Sequence, residues 1–172
     1  MQVDHNTIVR VHPAAIASIV DGHERREARG KTSKNNFILG TLMGTSDSKL
    51  ITIDQAFTVD FSQKSTNPET GAQEEALQYD FEYHFDRINL IRAANKDSNV
   101  MGWFTTANEI QFGELDKMVS DLYFNPREYN KDGNSKHYGI PPAKGAKKSK
   151  PICLKINCEA LRTGNHCIYL HV

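Results

Sequence analysis

The segment VMGWFTTANEIQFGELDKM, Val100 to Met118, runs from an apolar stretch into small polar residues before an amphipathic pattern resumes. A strand end that opens into polar residues ahead of a helix is a common place for reacting groups in α/β proteins. Here Thr105, Thr106, Ala107 and Asn108 supply two hydroxyls, a methyl and an amide. None of these can serve as a general base or a strong metal ligand near neutral pH. Other constellations carry as little. Cys153, Cys158 and Cys167, with His166 alongside, have too few ligands at the wrong spacing for structural zinc, and read as small residues on alternating strands. Cys167 and His166 do not pair as nucleophile and base, because adjacent strand residues point to opposite faces. GTLMG (Gly40–Gly44) lacks the third glycine and the following helix of a phosphate loop. Glu109, Glu114 and Asp116 spread around one helix and read as a solvated face. His84, between Phe81 and Phe85, reads as partly exposed. Local pattern yields no catalytic set, no metal site and no cofactor.

The elements that would position these residues alternate along the chain. TIVRVH (Thr7–His12) is β-branched and alternating, a first strand, and Pro13 follows where a helix tolerates proline best. Ile16, Ile19, Val20 and His23 then recur at helical spacing, with Gly30 as a stop. NFILGTLMGT and KLITIDQAFTVDF read as strands, TNPETG (Thr66–Gly71) as a loop, and EALQYDF as a short strand. Asp80–Lys96 places Phe81, Phe85, Ile88 and Ile91 on one stripe. After the strand NVMGWFT, a helix over Glu109–Phe124 carries Leu115, Met118, Val119 and Leu122. PICLKINCEA and CIYLHV read as two final strands around the turn LRTGNH. This order predicts an α/β fold with a mixed, mostly antiparallel sheet flanked by about three helices.

At 172 residues the chain suits one domain. Acidic and basic residues balance at 21 each, so no whole-molecule field draws it to nucleic acid or anionic lipid. The N-terminus does not read as a signal peptide, and no window reaches the length of a membrane span. Three cysteines suit reduced thiols in the cytosol or nucleus. An exception to the charge balance is Arg127–Lys150, where seven basic residues face two acidic ones within a Pro/Gly-rich insertion at about 125–150. Lys144, Lys147, Lys148 and Lys150 are the candidate contacts with RNA phosphate; the plainer reading is a solvated surface insertion. Leu90 lies off the apolar stripe of its helix, and Leu122, Tyr123 and Phe124 carry the next helix's apolar face to its end. Those four are the candidate partner interface.

VRVHPAAIASIVDGHERR, followed by ILGTLMG and then MGWFTTANEI, resembles the MPN domain, the fold of JAMM-type zinc deubiquitinases and of their inactive relatives in three large complexes. The likeness covers nearly the whole chain, from Val9 to the last strand pair. Within the family it is most similar to the branch found in translation initiation factor 3, through ASIVD with ERR after it. Active members hold zinc through His-x-His just past a Gly-Trp pair, with an aspartate two helical turns on and a glutamate base on an earlier strand. On this chain the histidine positions fall on Thr105 and Ala107, the aspartate near Met118 and the glutamate on Phe37. The motif's serine falls near Leu115. The resemblance therefore implies a cytoplasmic, non-catalytic scaffold that pairs with a second MPN subunit, contacts other initiation factor subunits and reaches the small ribosomal subunit indirectly. It also implies further helices after the domain, so the chain reads as a fragment ending at Val172. A scaffold of the proteasome lid or the signalosome, and a zinc deubiquitinase, are the alternatives.

Overall fold

The computed structural model describes residues 8–26, 37–47, 49–66, 73–109, 111–124 and 151–171. The expected stop at Gly30 and the basic insertion with Lys144, Lys147, Lys148 and Lys150 lie outside them. The described elements are β1 (Ile8–Val11), α1 (Pro13–Glu24), β2 (Leu39–Ser46), β3 (Leu50–Val59), β4 (Phe61–Thr66) and β5 (Gln73–Tyr79). They continue with α2 (Phe81–Ala94), β6 (Asn99–Thr105), α3 (Glu114–Phe124), β7 (Ile152–Ile156), α4 (Cys158–Arg162) and β8 (Ile168–His171). Six strands form one sheet in the order β1-β3-β2-β6-β7-β8. The pairs β3–β2, β2–β6 and β7–β8 are antiparallel, while β1–β3 and β6–β7 are parallel. The sheet is thus mixed and mostly antiparallel, as the sequence predicts.

Successive residues of β6 show how the layers are built. Trp103 belongs to one buried cluster with Ile88 and Ile91 of α2 and Val119 of α3. Its neighbour Phe104 belongs to the other, with Ala15 and Ile19 of α1 and Leu154 and Ile156 of β7. The period of two along a strand therefore feeds two cores, one on each face of the sheet. The Gly-Trp pair has a steric reason. A Cβ on Gly102 would stand 1.9 Å from the Ile152 carbonyl oxygen, so only glycine admits the close approach of β7.

Three details depart from the sequence reading. KLITIDQAFTVDF is not one strand: β3 ends at Val59, and Phe61 opens β4, which pairs with β5 in a separate two-stranded sheet. The third helix starts at Glu114 rather than Glu109. The strand expected over PICLKINCEA ends at Ile156, and its last three residues, with the first two of the expected turn LRTGNH, form α4, capped by the Asn157 side chain, which accepts from Ala160 N at 2.9 Å. A fourth helix therefore joins the three expected.

Candidate functional site

His12-Pro13 is a helix start. The His12 side chain accepts from the Ala14 amide at 3.2 Å, and Pro13 takes the first helical position. At the other end of α1, His23 is buried and its Nδ1 lies 2.8 Å from Thr106 Oγ1. Thr106 Oγ1 also accepts from the Ile38 amide at 3.0 Å, and the Thr106 amide donates to the Ile38 carbonyl at 3.2 Å. With the Ile38 N–H as donor, the hydroxyl proton is free to point at a neutral imidazole. Burial, reinforced by the Arg26 charge, holds His23 below its usual pKa and favours that neutral form. Thr106 is thus a clamp between β6, the approach to β2, and α1.

The positions that the resemblance assigns to zinc ligands hold other chemistry. Thr105 is buried, and its hydroxyl accepts from the Ala107 amide at 3.1 Å, closing a local turn. Ala107 is half-buried and Asn108 exposed. Phe37 packs its ring 5.4 Å from that of Phe61 and, with Leu115, lies against the core cluster shared by α2 and α3. Met118 is half-buried on α3.

A cation stands close to this turn, carried on a lysine side chain. Lys155 pairs with Thr105 in the β6–β7 register, and its side chain is buried. Its Nζ donates to Asp116 Oδ2 at 2.6 Å, to the Glu109 carbonyl at 3.1 Å and to the Gln111 carbonyl at 2.8 Å. Three N–H donors meet three acceptors, the full capacity of an ammonium. Asp116 Oδ2 also accepts from the Gly113 amide at 2.7 Å, which caps the start of α3. This corrects the reading of Glu109, Glu114 and Asp116 as one solvated face: Glu109 precedes the helix, Glu114 is exposed, and Asp116 is buried and paired. The residues aligned with the zinc ligands do not fit zinc. One hydroxyl already engaged, a methyl, a thioether and a phenyl ring form no donor set, and a fixed positive charge stands beside them. Among the described residues, no group of three or more His, Cys, Asp or Glu could hold a metal ion.

A second polar cluster lies between β2, β5, α2 and α3. Tyr79 and Tyr123 hydroxyls lie 2.5 Å apart, Tyr123 reaches Thr41 Oγ1 at 2.7 Å, and Thr41 reaches His84 Nδ1 at 2.9 Å. His84 is therefore buried rather than partly exposed, and burial lowers its pKa to about 4. The same cluster corrects the placement of Tyr123: it is buried, so its ring is not free for a partner. Leu122 packs half-buried against the core, while Leu90 is 62% exposed. The Phe124 side chain lies outside what is described. Cys153 and Cys158 are buried free thiols, pushed by burial up to about 12 and about 11; they are not nucleophiles at neutral pH.

The sequence reading missed Lys155 and Asp116. Two signals mark them: a lone lysine inside the apolar strand ICLKI, which demands a buried partner, and an acid three residues after Gly113 at a helix start.

The profile of the family described as JAB1/Mov34/MPN/PAD-1 ubiquitin protease matches residues 4–126. Among curated proteins, the chain is similar to the F-1 subunit of eukaryotic translation initiation factor 3 from Drosophila mojavensis, 30% identical over 105 residues. It is also similar to the F subunit of the same factor from Bombyx mori, again 30% identical over 105 residues. Each match covers 61% of this chain and 32% of the relative, so the chain spans about a third of the length of these relatives.

Proposed function

The chain belongs to the JAB1/Mov34/MPN/PAD-1 family, and on that premise we propose that it is a non-catalytic MPN scaffold serving translation initiation, as a subunit of initiation factor 3 in the cytoplasm. The observation that carries this reading is the polar turn after β6. The positions aligned with the metal ligands hold Thr105, Ala107 and Met118, the base position holds Phe37, and the buried Lys155–Asp116 pair stands beside them. A site of this kind has neither the open coordination position nor the base that hydrolysis on zinc requires. What remains for the fold to do is contact. The names carried by the two relatives support initiation factor 3 as the assembly.

The partner surface we propose is the outer side of α2, where Tyr83 and Leu90, seven residues apart on one face, are 42% and 62% exposed. A second MPN subunit packing helix on helix is the occupant that the family suggests. The basic insertion with Lys144–Lys150 is proposed as a secondary contact with ribosomal RNA.

Two measurements test the reading. Affinity purification of the full-length protein from native extract should recover initiation factor 3 subunits; proteasome-lid or signalosome subunits in their place would move it to another assembly. Elemental analysis of the purified domain should find far less than one zinc per chain, and a stoichiometric metal would overturn the non-catalytic reading.

A further inference from the structure

We propose that Asp116, with the Glu109 and Gln111 carbonyls, forms a cation cradle whose tethered occupant, the Lys155 ammonium, closes the turn between β6 and α3. The three acceptors come from two separate stretches, the turn before α3 and its first helical turn, and they lie 46, 44 and 39 residues from Lys155 along the chain. The Glu109 and Gln111 carbonyls both turn inward to one nitrogen. Lys155 and Asp116 keep 2% and 5% of their surfaces exposed, so water does not compete for either charge. Asp116 Oδ2 is shared between Nζ at 2.6 Å and the Gly113 amide at 2.7 Å, so the same oxygen anchors the cation and starts the helix. An all-oxygen cradle of one carboxylate and two carbonyls suits a hard cation or an ammonium. β7 supplies the ammonium on a side chain that cannot dissociate.

The cradle extends beyond the loss of metal ligands. It makes the turn's order depend on a positive charge delivered from a strand distant in sequence, and it predicts that the charge can be supplied from solution. The experiment is chemical rescue of Lys155→Ala in the whole chain with n-propylammonium, which restores the atoms the substitution removes beyond Cβ. Expected is a lowered Tm and Gly113 amide exchange about tenfold faster, the scale of one lost tie. Both should return toward the parent value, saturably, on titrating n-propylammonium but not n-propanol, which has the shape without the charge. If Lys155→Ala is unfolded on isolation, the readout becomes recovery of folded signal in n-propylammonium alone. Lys155→Ala/Asp116→Ala, which leaves no buried charge, should show no such response. Equal effects of the amine and the alcohol, no effect of either, or rescue of the double variant would overturn the proposal.

Discussion

The Tyr79–Tyr123–Thr41–His84 chain shows how single side chains set the conditions under which the fold holds. Tyr79 can donate to Tyr123, Tyr123 to Thr41, and Thr41 to a neutral imidazole, so each of these three hydroxyls has an acceptor. Protonating His84 would remove that last acceptor. Its pKa is depressed from 6.5 to about 4 by burial, so between those values the unfolded chain binds a proton that the folded chain refuses. Stability from this group is fully present above about pH 6.5 and falls as the pH drops toward 4, by on the order of 3 kcal/mol. His23, lowered in the same direction, adds to the slope. Urea unfolding at stepped pH should show this decline, and His84→Asn, which keeps an acceptor but does not titrate, should flatten it. Tyr123→Phe leaves the Tyr79 and Thr41 hydroxyls each short of a partner and should cost about 1–3 kcal/mol in the same assay. None of this network is legible in sequence. A histidine between two phenylalanines on a helix reads as peripheral until the sheet behind it places Thr41 opposite.

At the scale of elements, periodicity located the secondary structure better than it located the ends. β6 is legible to the residue because the apolar stretch, the Gly102–Trp103 pair and the polar residues that follow agree. The third helix begins about a turn later than expected, while its end at Phe124 agrees. Its pattern continues upstream in apolar residues, whereas the carbonyls of Glu109 and Gln111 are committed to Lys155 and Gly113 makes the cap. The stripe on α3 is also rotated: Asp116, Val119 and Tyr123 are buried, where Leu115, Met118, Val119 and Leu122 are the face the sequence predicts. A paired aspartate and a bonded phenol can occupy core positions that hydropathy alone would deny them. The short α4 escaped notice because five residues give too little period to register. Gly102→Ala tests the close β6–β7 approach. With a Cβ 1.9 Å from the Ile152 carbonyl, the parallel pair must separate, and thermal unfolding should register a loss of about 3 kcal/mol.

Across the whole molecule, one sheet carries a helical layer on each face, and the remaining apolar exposure is uneven. Leu90 stands clear of both cores, so Leu90→Glu should change the stability of the isolated chain by less than about 0.5 kcal/mol. If the outer side of α2 is the partner surface, the same substitution should weaken co-purification of a second MPN subunit, and pull-down yield measures that. Unchanged yield would move the contact elsewhere. The surface is partly legible: Leu90 stands off its helix's stripe, but Tyr123, expected to carry the apolar face of α3 to its end, belongs to the interior, where it bonds Thr41 of β2 and Tyr79 of β5.

The single tryptophan of the chain, Trp103, is fully buried on β6 and donates its indole N–H to Ser120 of α3 at 3.1 Å. It lies two residues before Thr105, on the strand whose end the ammonium secures, so the seam carries its own optical label. Emission should shift to longer wavelength when β6 and α3 part. Because no second indole contributes, the spectrum separates events at this junction from unfolding elsewhere.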